Sequence, residues 1–303
     1  MRLVSFRTRE AFAGEPGRDA QLGIVEGDRL FAASELAGSV PGEVPGTMAA
    51  LLADWPVSLE RLRDARRESG PVDGVPFESV ELLAPVPRPG KILAAGVNYH
   101  SHGAEQSKAP PDHPVLFAKM TTSVIGAGAD IRWSPTLTQA VDFEAELAVV
   151  IGRTCRRVDE SEALACIAGY TCLNDVSARD LQYADRQFVR GKSLDTFCPM
   201  GPWLVSADEI GDPQTLRVRC LVNGEVMQDA STSEMVFSVA ALVSFCSQAM
   251  TLEPGDVIAT GTPAGVGWFR EPKRMLHDGD EVVVEIERVG RLANRCREEE
   301  PRS

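Results

Sequence analysis

The chain has 303 residues, 44% hydrophobic and 25% charged, a globular composition with enough length for a large core, which excludes disordered and fibrous classes. Its formal net charge is −13, from 31 basic and 44 acidic residues, a field that repels phosphate backbones and anionic headgroups, so neither nucleic acid nor a membrane is an expected partner. No run approaches the roughly 20 apolar residues of a membrane span, and seven scattered cysteines without CxxC or Cys/His spacing read as reduced, buried thiols of a cytoplasmic protein.

In chain order, residues 2–6 and 21–31 read as strands, the second folded back at Glu26-Gly27-Asp28. Helical periodicity covers 48–54 and 58–67. Glycines and prolines then punctuate the chain from Gly70 to Gly90. This divides it into a small N-terminal α/β domain at 1–80, a linker at 81–90, a main domain at 91–297 and an acidic tail at 298–303. In the main domain, 144–151 and 170–174 read as strands with a helix over 160–168 between them, and a helix opens over 177–183. Residues 218–222 and 225–228 flank Asn223-Gly224, the signal of a type I′ hairpin. Residues 233–250 form the longest helical stretch, and 281–287 alternates as a half-exposed strand does. Strands with so few helices between them predict a mainly β, α+β fold with an antiparallel or mixed core, not a doubly wound sheet.

Glu144 and Glu146 lie two apart on a strand, so both leave the same face, where like charges repel unless a cation sits between them. Asp175 ends a later strand just where a helix opens. Three hard oxygen donors with no nearby His or Cys suit Mg²⁺ or Mn²⁺ better than zinc. The competing readings are a solvated sheet edge for the two glutamates and a helix N-cap for Asp175. His102 and Glu105 stand at i, i+3 and share a helix face, where the carboxylate can orient the imidazole and raise its basicity. The glycine-rich pieces at 126–128 and 261–267, and Gly191-Lys192-Ser193, fit neither a dinucleotide fingerprint nor a phosphate-binding loop.

Four longer strings carry a family likeness: Val141-Asp-Phe-Glu-Ala-Glu-Leu-Ala-Val-Val-Ile-Gly152, Gly169-Tyr-Thr-Cys-Leu-Asn-Asp-Val-Ser-Ala-Arg-Asp-Leu-Gln182, Arg190-Gly-Lys-Ser-Leu-Asp-Thr-Phe-Cys-Pro-Met-Gly-Pro202 and Thr260-Gly-Thr-Pro-Ala-Gly-Val-Gly267. From about Lys91 to Cys296 the chain resembles the fumarylacetoacetate hydrolase family. The resemblance implies a mixed β-sandwich roll, usually a homodimer, with Mg²⁺ or Mn²⁺ held by Glu144, Glu146 and Asp175. It implies that Lys192 neutralises negative charge growing on the substrate, that Arg179 and Gln182 contact the substrate, and that Thr262 holds its carboxylate. Asn98-Tyr99-His100-Ser101-His102-Gly103-Ala104-Glu105 resembles the segment that carries the catalytic dyad, which falls on His102 and Glu105, with His100 in a variable position. Lys119 resembles a family position too, and either assists the site or forms a surface ion pair. Phe188 stands where many relatives have tryptophan, and Cys198 and Met200 replace commonly smaller or aliphatic residues, so all three are expected to reshape the pocket.

The activity implied first is metal-dependent hydrolysis of a carbon–carbon bond in a β-diketo acid, an acylpyruvate or fumarylpyruvate, through a stabilised enolate. The alternatives are a decarboxylase or isomerase of 2-oxo or 2-hydroxymuconate-type diacids from aromatic catabolism, oxaloacetate and 2-hydroxyhepta-2,4-diene-1,7-dioate among them. Hydrolases and dehydratases of deoxy sugar acids complete the set. All imply a small 2-oxo acid as partner. A binding protein that has lost its chemistry is the non-enzyme rival, and the complete set of site residues argues against it.

Overall fold

The computed structural model describes residues 1–8, 20–70 and 72–299, so Pro71 and the expected tail beyond Glu299 lie outside the described residues. Its largest sheet has twelve strands. Neighbour beside neighbour, the spine runs Arg29–Ala32, Gln21–Glu26, Arg2–Thr8, Cys198–Ser206, Ile167–Asn174, Ala145–Ile151, Val257–Ala259, Ile92–Gly96 and Val115–Lys119. Pairing along it is antiparallel except where Val257–Ala259 runs parallel to Ile92–Gly96. Arg2–Thr8 lies between Gln21–Glu26 and Cys198–Ser206, with Leu3 facing Leu204, so the first residues share a sheet with the main body. A second, five-stranded sheet orders Glu225–Ser231, Arg217–Val222, Glu281–Ile286, Gly290–Glu298 and Ile131–Trp133.

The Ala145–Ile151 strand is buried along its whole length because both faces of the large sheet are covered. Leu147, Val149 and Ile151 enter the core between the two sheets, with Val218, Val282, Val284 and the helix residues Leu242 and Val243. Ala148 and Val150 point the other way, into a core with Leu51, Leu52, Leu59 and Leu62. Those leucines belong to the helices Met48–Ala53 and Val57–Glu68, the first capped by Thr47, whose Oγ1 accepts from Ala50 N–H at 3.1 Å. The result is the expected mainly β fold with helices, in mixed sheets. All seven cysteines are free and buried, and no helix among the described residues is long and apolar enough to cross a membrane.

The Asn223-Gly224 turn forms as expected, with φ of 52° and 81°, the two positive values of a type I′ turn. Three expected spans change. The helix over 160–168 is one turn, Glu160–Ala163, followed by a 3₁₀ turn, because Ile167 is already paired opposite Ile151. At 177–183, Ser177–Ala178 first pairs with Val141–Asp142, and the helix is Arg179–Asp185. The stretch 233–250 holds a helix only over Val239–Ala249, opened by Ser238, whose Oγ accepts from Ala241 N–H at 3.1 Å. Just upstream, Val236 N–H and Phe237 N–H donate to the carbonyl and Oδ1 of Asn98, each at 2.9 Å, which draws the chain out of helical geometry. In 281–287 the glutamates keep the expected exposure, half-buried at Glu281 and Glu285 and exposed at Glu287, while the apolar residues lie inside. Val282, Val283 and Val284 are all buried in a strand paired on both sides.

Candidate active site

Antiparallel pairing of Ala145–Ile151 with Ile167–Asn174 sets Ala145 opposite Asn174, which carries Glu144 and Glu146 to the level of Asp175. Asn174 Oδ1 accepts from Glu144 N–H at 3.0 Å, and Asp175 N–H donates to the Glu144 carbonyl at 2.9 Å. Oxygens of the three carboxylates lie within 4.8 Å of one another, and all three residues are buried. The solvated-edge reading therefore fails for the glutamates.

Two ammonium groups and a guanidinium hold part of this charge. Lys192 Nζ donates to Glu144 Oε2 at 2.8 Å and to Asp175 Oδ2 at 2.7 Å. Lys119 Nζ donates to Asp175 Oδ1 at 2.6 Å and to the Lys192 carbonyl. Lys119 is fully buried, so its partner is the site and not a surface acid. An Arg179 Nη atom lies 2.7 Å from Glu144 Oε1. Burial pushes the Glu144 carboxyl up, but Lys192 and Arg179 outweigh it and hold the group down to about 2. Among the described residues Glu146 has no ion-pair partner, and its Oε2 accepts only from Gly261 N–H, at 2.8 Å. Burial, then Asp175 and Glu144, push its carboxyl well above the usual range. Three buried oxygen donors, one of them lacking a counter-charge, fit a divalent cation.

The second half of the site grows from the short helix His100–Glu105. Glu105 Oε1 accepts from His102 Nδ1 at 2.6 Å, and its Oε2 accepts from Gly265 N–H at 2.9 Å, which pins the pair to the glycine-rich 260–267 segment. With Nδ1 carrying the proton, Nε2 presents a lone pair, and the Gln106 amide donates to it at 2.7 Å. Thr262 Oγ1 donates to the Ala145 carbonyl at 2.9 Å and accepts from Gln228 Nε2 at 2.7 Å.

One cavity of about 320 Å³ joins the two halves. Of the residues named from the sequence, His102, Glu144, Arg179, Gln182, Lys192 and Thr262 line it; Glu105, Glu146, Asp175 and Lys119 support it from behind. Phe117 and Phe188 form another wall, edge to face at 5.5 Å. Cys198 and Met200 do not shape the pocket. Both are wholly buried in the core against the N-terminal helices. Two larger hollows, of about 630 and 710 Å³, flank Trp203 and hold none of the site residues.

Two contributors were not singled out from the sequence. Asp142 Oδ1 accepts from Gly267 N–H at 2.7 Å, and its Oδ2 accepts from Arg179 Nε at 2.8 Å and Trp268 N–H at 3.0 Å, which fastens one wall to another. Its only signal was its place two residues before Glu144. Gln228 Oε1 accepts from Ala145 N–H at 2.9 Å while its amide nitrogen donates to Thr262 and to the Pro263 carbonyl, clamping the Thr262 turn to the strand beside Glu146.

Residues 91–297 match the model of a family described as fumarylacetoacetate (FAA) hydrolase, C-terminal. A mitochondrial oxaloacetate tautomerase of Bos taurus is 44% identical over 254 residues, 83% of this chain and 80% of its own length. The crystal structure of 2-hydroxyhepta-2,4-diene-1,7-dioate isomerase from Mycobacterium marinum superposes with a TM-score of 0.75 at 35% identity, covering 99% of this chain and 100% of that one. A maleylpyruvate hydrolase from Sphingobium sp. SYK-6, crystallised with manganese(II) and pyruvate, gives 0.78 at 34% identity with the same coverage. A family match across the whole site-bearing region, joined to relatives this similar, means that the chain belongs to the fumarylacetoacetate hydrolase family of enzymes.

Proposed function

We propose that this chain is a divalent-metal-dependent enzyme of 2-oxo acids that works through an enol or enolate, and that its reaction is the keto–enol interconversion of an oxaloacetate-class dicarboxylate. One observation carries this reading. His102, held by Glu105, shares a single cavity of about 320 Å³ with Lys192 and the carboxylate cluster, at the small end for ligand sites and suited to a four-carbon acid. The 44% identical relative named as an oxaloacetate tautomerase supports it.

A cation on Glu144, Glu146 and Asp175, Mg²⁺ or Mn²⁺ for such a donor set, supplies positive charge that polarises a 2-oxo group and lowers the cost of an enolate. The chain's own residues do the rest. Glu105 fixes the His102 tautomer, so Nε2 accepts the proton from the carbon next to the ketone once the Gln106 amide yields its place. Lys192 presents its ammonium to the developing oxyanion. The same proton passes from Nε2 to the 2-oxygen, giving the enol, and the reverse path restores the ketone with no carbon–carbon bond broken.

Hydrolysis of a β-diketo acid is the second reading, supported by the neighbouring maleylpyruvate hydrolase and by a dyad equally able to deprotonate water. The deciding experiment follows enol absorbance of oxaloacetate with Mg²⁺, Mn²⁺ or EDTA while assaying pyruvate, and repeats it with acylpyruvates. The expected result is metal-dependent loss of enol without pyruvate release. Stoichiometric pyruvate from an acylpyruvate, with oxaloacetate untouched, replaces tautomerisation by hydrolysis; equal rates in EDTA overturn the metal requirement.

A further inference from the structure

The cations around the cavity are not equivalent. Lys192 is held by Glu144 and Asp175, Arg179 by Asp142 and Glu144, and Lys108 by the Gln106 amide oxygen at 2.8 Å. Nearby Arg190 is paired with Asp185. Arg186, exposed at the cavity's rim, also lines it, yet among the described residues its side chain has neither an ion-pair partner nor a hydrogen bond.

Its backbone is equally unusual. Arg186 caps the helix Arg179–Asp185 with φ of 59°, the left-handed conformation that this position normally fills with glycine. A left-handed cap can be filled by glycine, so an arginine there whose side chain meets no partner in the fold points to a demand from the ligand. An unneutralised guanidinium on the wall of a pocket, in a chain of net charge −13, presents a planar pair of donors to a carboxylate.

We infer that Arg186 is a specificity residue that receives the distal carboxylate of a 2-oxo dicarboxylic acid whose oxo-acid head lies at the Lys192 end of the cavity. This rests on the 2-oxo acid reading above. It extends that reading by naming the group that selects a dicarboxylate over monocarboxylates.

The test is binding to the full-length, Mn²⁺-loaded protein of fresh oxaloacetate and of pyruvate, which lacks the distal carboxylate. Stopped-flow tryptophan fluorescence provides the signal, because Trp268 lies 5.4 Å from Tyr183 on the cavity wall. R186Q and R186G are expected to weaken oxaloacetate about 10- to 100-fold and to leave pyruvate within about twofold, with part of the loss recovered in R186K. R186G is also expected to keep or raise the melting temperature, since glycine suits the positive φ. Equal weakening of both ligands, or unchanged oxaloacetate binding, overturns the role of Arg186. Failure of wild-type protein to bind either ligand overturns the 2-oxo acid reading itself.

Discussion

Lys192 ties two of the three buried carboxylates together, at 2.8 and 2.7 Å. Removing one partner from a buried ion cluster typically costs about 3–5 kcal/mol, because the remaining charges lose compensation in a poorly solvated place. K192M is therefore expected to melt at a lower temperature than wild type after EDTA treatment, and to lose at least about 100-fold in turnover. Added Mn²⁺ should raise the melting temperature of K192M more than that of wild type, because the cation replaces the missing charge. Differential scanning fluorimetry with and without Mn²⁺ checks this; equal shifts would show that the ammonium and the cation do not share these carboxylates. At this scale the candidate site was largely legible, since Glu144 with Glu146 and His102 with Glu105 are close in sequence and spaced for one face. Asp142 and Gln228 were not. Their partners at Gly267, Trp268, Ala145 and Thr262 lie tens to more than a hundred residues away, and only the fold brings them near.

The short helix that carries Lys192, Val189–Lys192, packs against Arg179–Asp185, which carries Arg179 and Gln182. Gly191 makes that approach possible. A Cβ there would stand 2.7 Å from Gln182 N and 2.8 Å from the Ala178 carbonyl oxygen, both backbone atoms with little freedom to retreat. G191A should therefore push the two helices apart, costing about 1–3 kcal/mol in stability and at least about 10-fold in kcat/KM, as displaced catalytic groups do. Denaturant midpoints and steady-state kinetics measure the two effects; normal kinetics would mean that the helices tolerate the added methyl. The same scale shows where sequence reading stops. The Asn223-Gly224 hairpin and the helices Met48–Ala53 and Val57–Glu68 were visible because their causes are local: turn chemistry, a cap, an apolar stripe. The helix over 233–250 was overextended because Asn98, far away in sequence, competes for the N–H groups of Val236 and Phe237.

For the molecule as a whole, the buried cysteines offer a simple probe of integrity. Burial pushes the thiols of Cys198, Cys246 and Cys296 up to about 12, so they stay protonated and inert at neutral pH. Native protein at pH 8 is expected to release less than about one equivalent of thionitrobenzoate from Ellman's reagent, and denatured protein all seven. Fast release from native protein would reveal opening of the packed body. The mainly β class followed from strand-rich patterning, but the order of strands in the large sheet did not, since periodicity carries no information on which strands pair. The central place of Arg2–Thr8, with Leu3 facing Leu204, bears on synthesis as well as shape. On the ribosome, the first strands emerge long before Cys198–Ser206 exists, so on the side where Phe6, Arg7 and Thr8 pair early with Val80–Leu82, Arg2 and Leu3 stay unpaired. At roughly 5–20 residues per second, that wait is on the order of 10–40 s. Throughout it the nascent chain displays a short open edge at Arg2 and Leu3, so soluble yield should depend on elongation rate and on chaperones that shield this edge until its partner is translated.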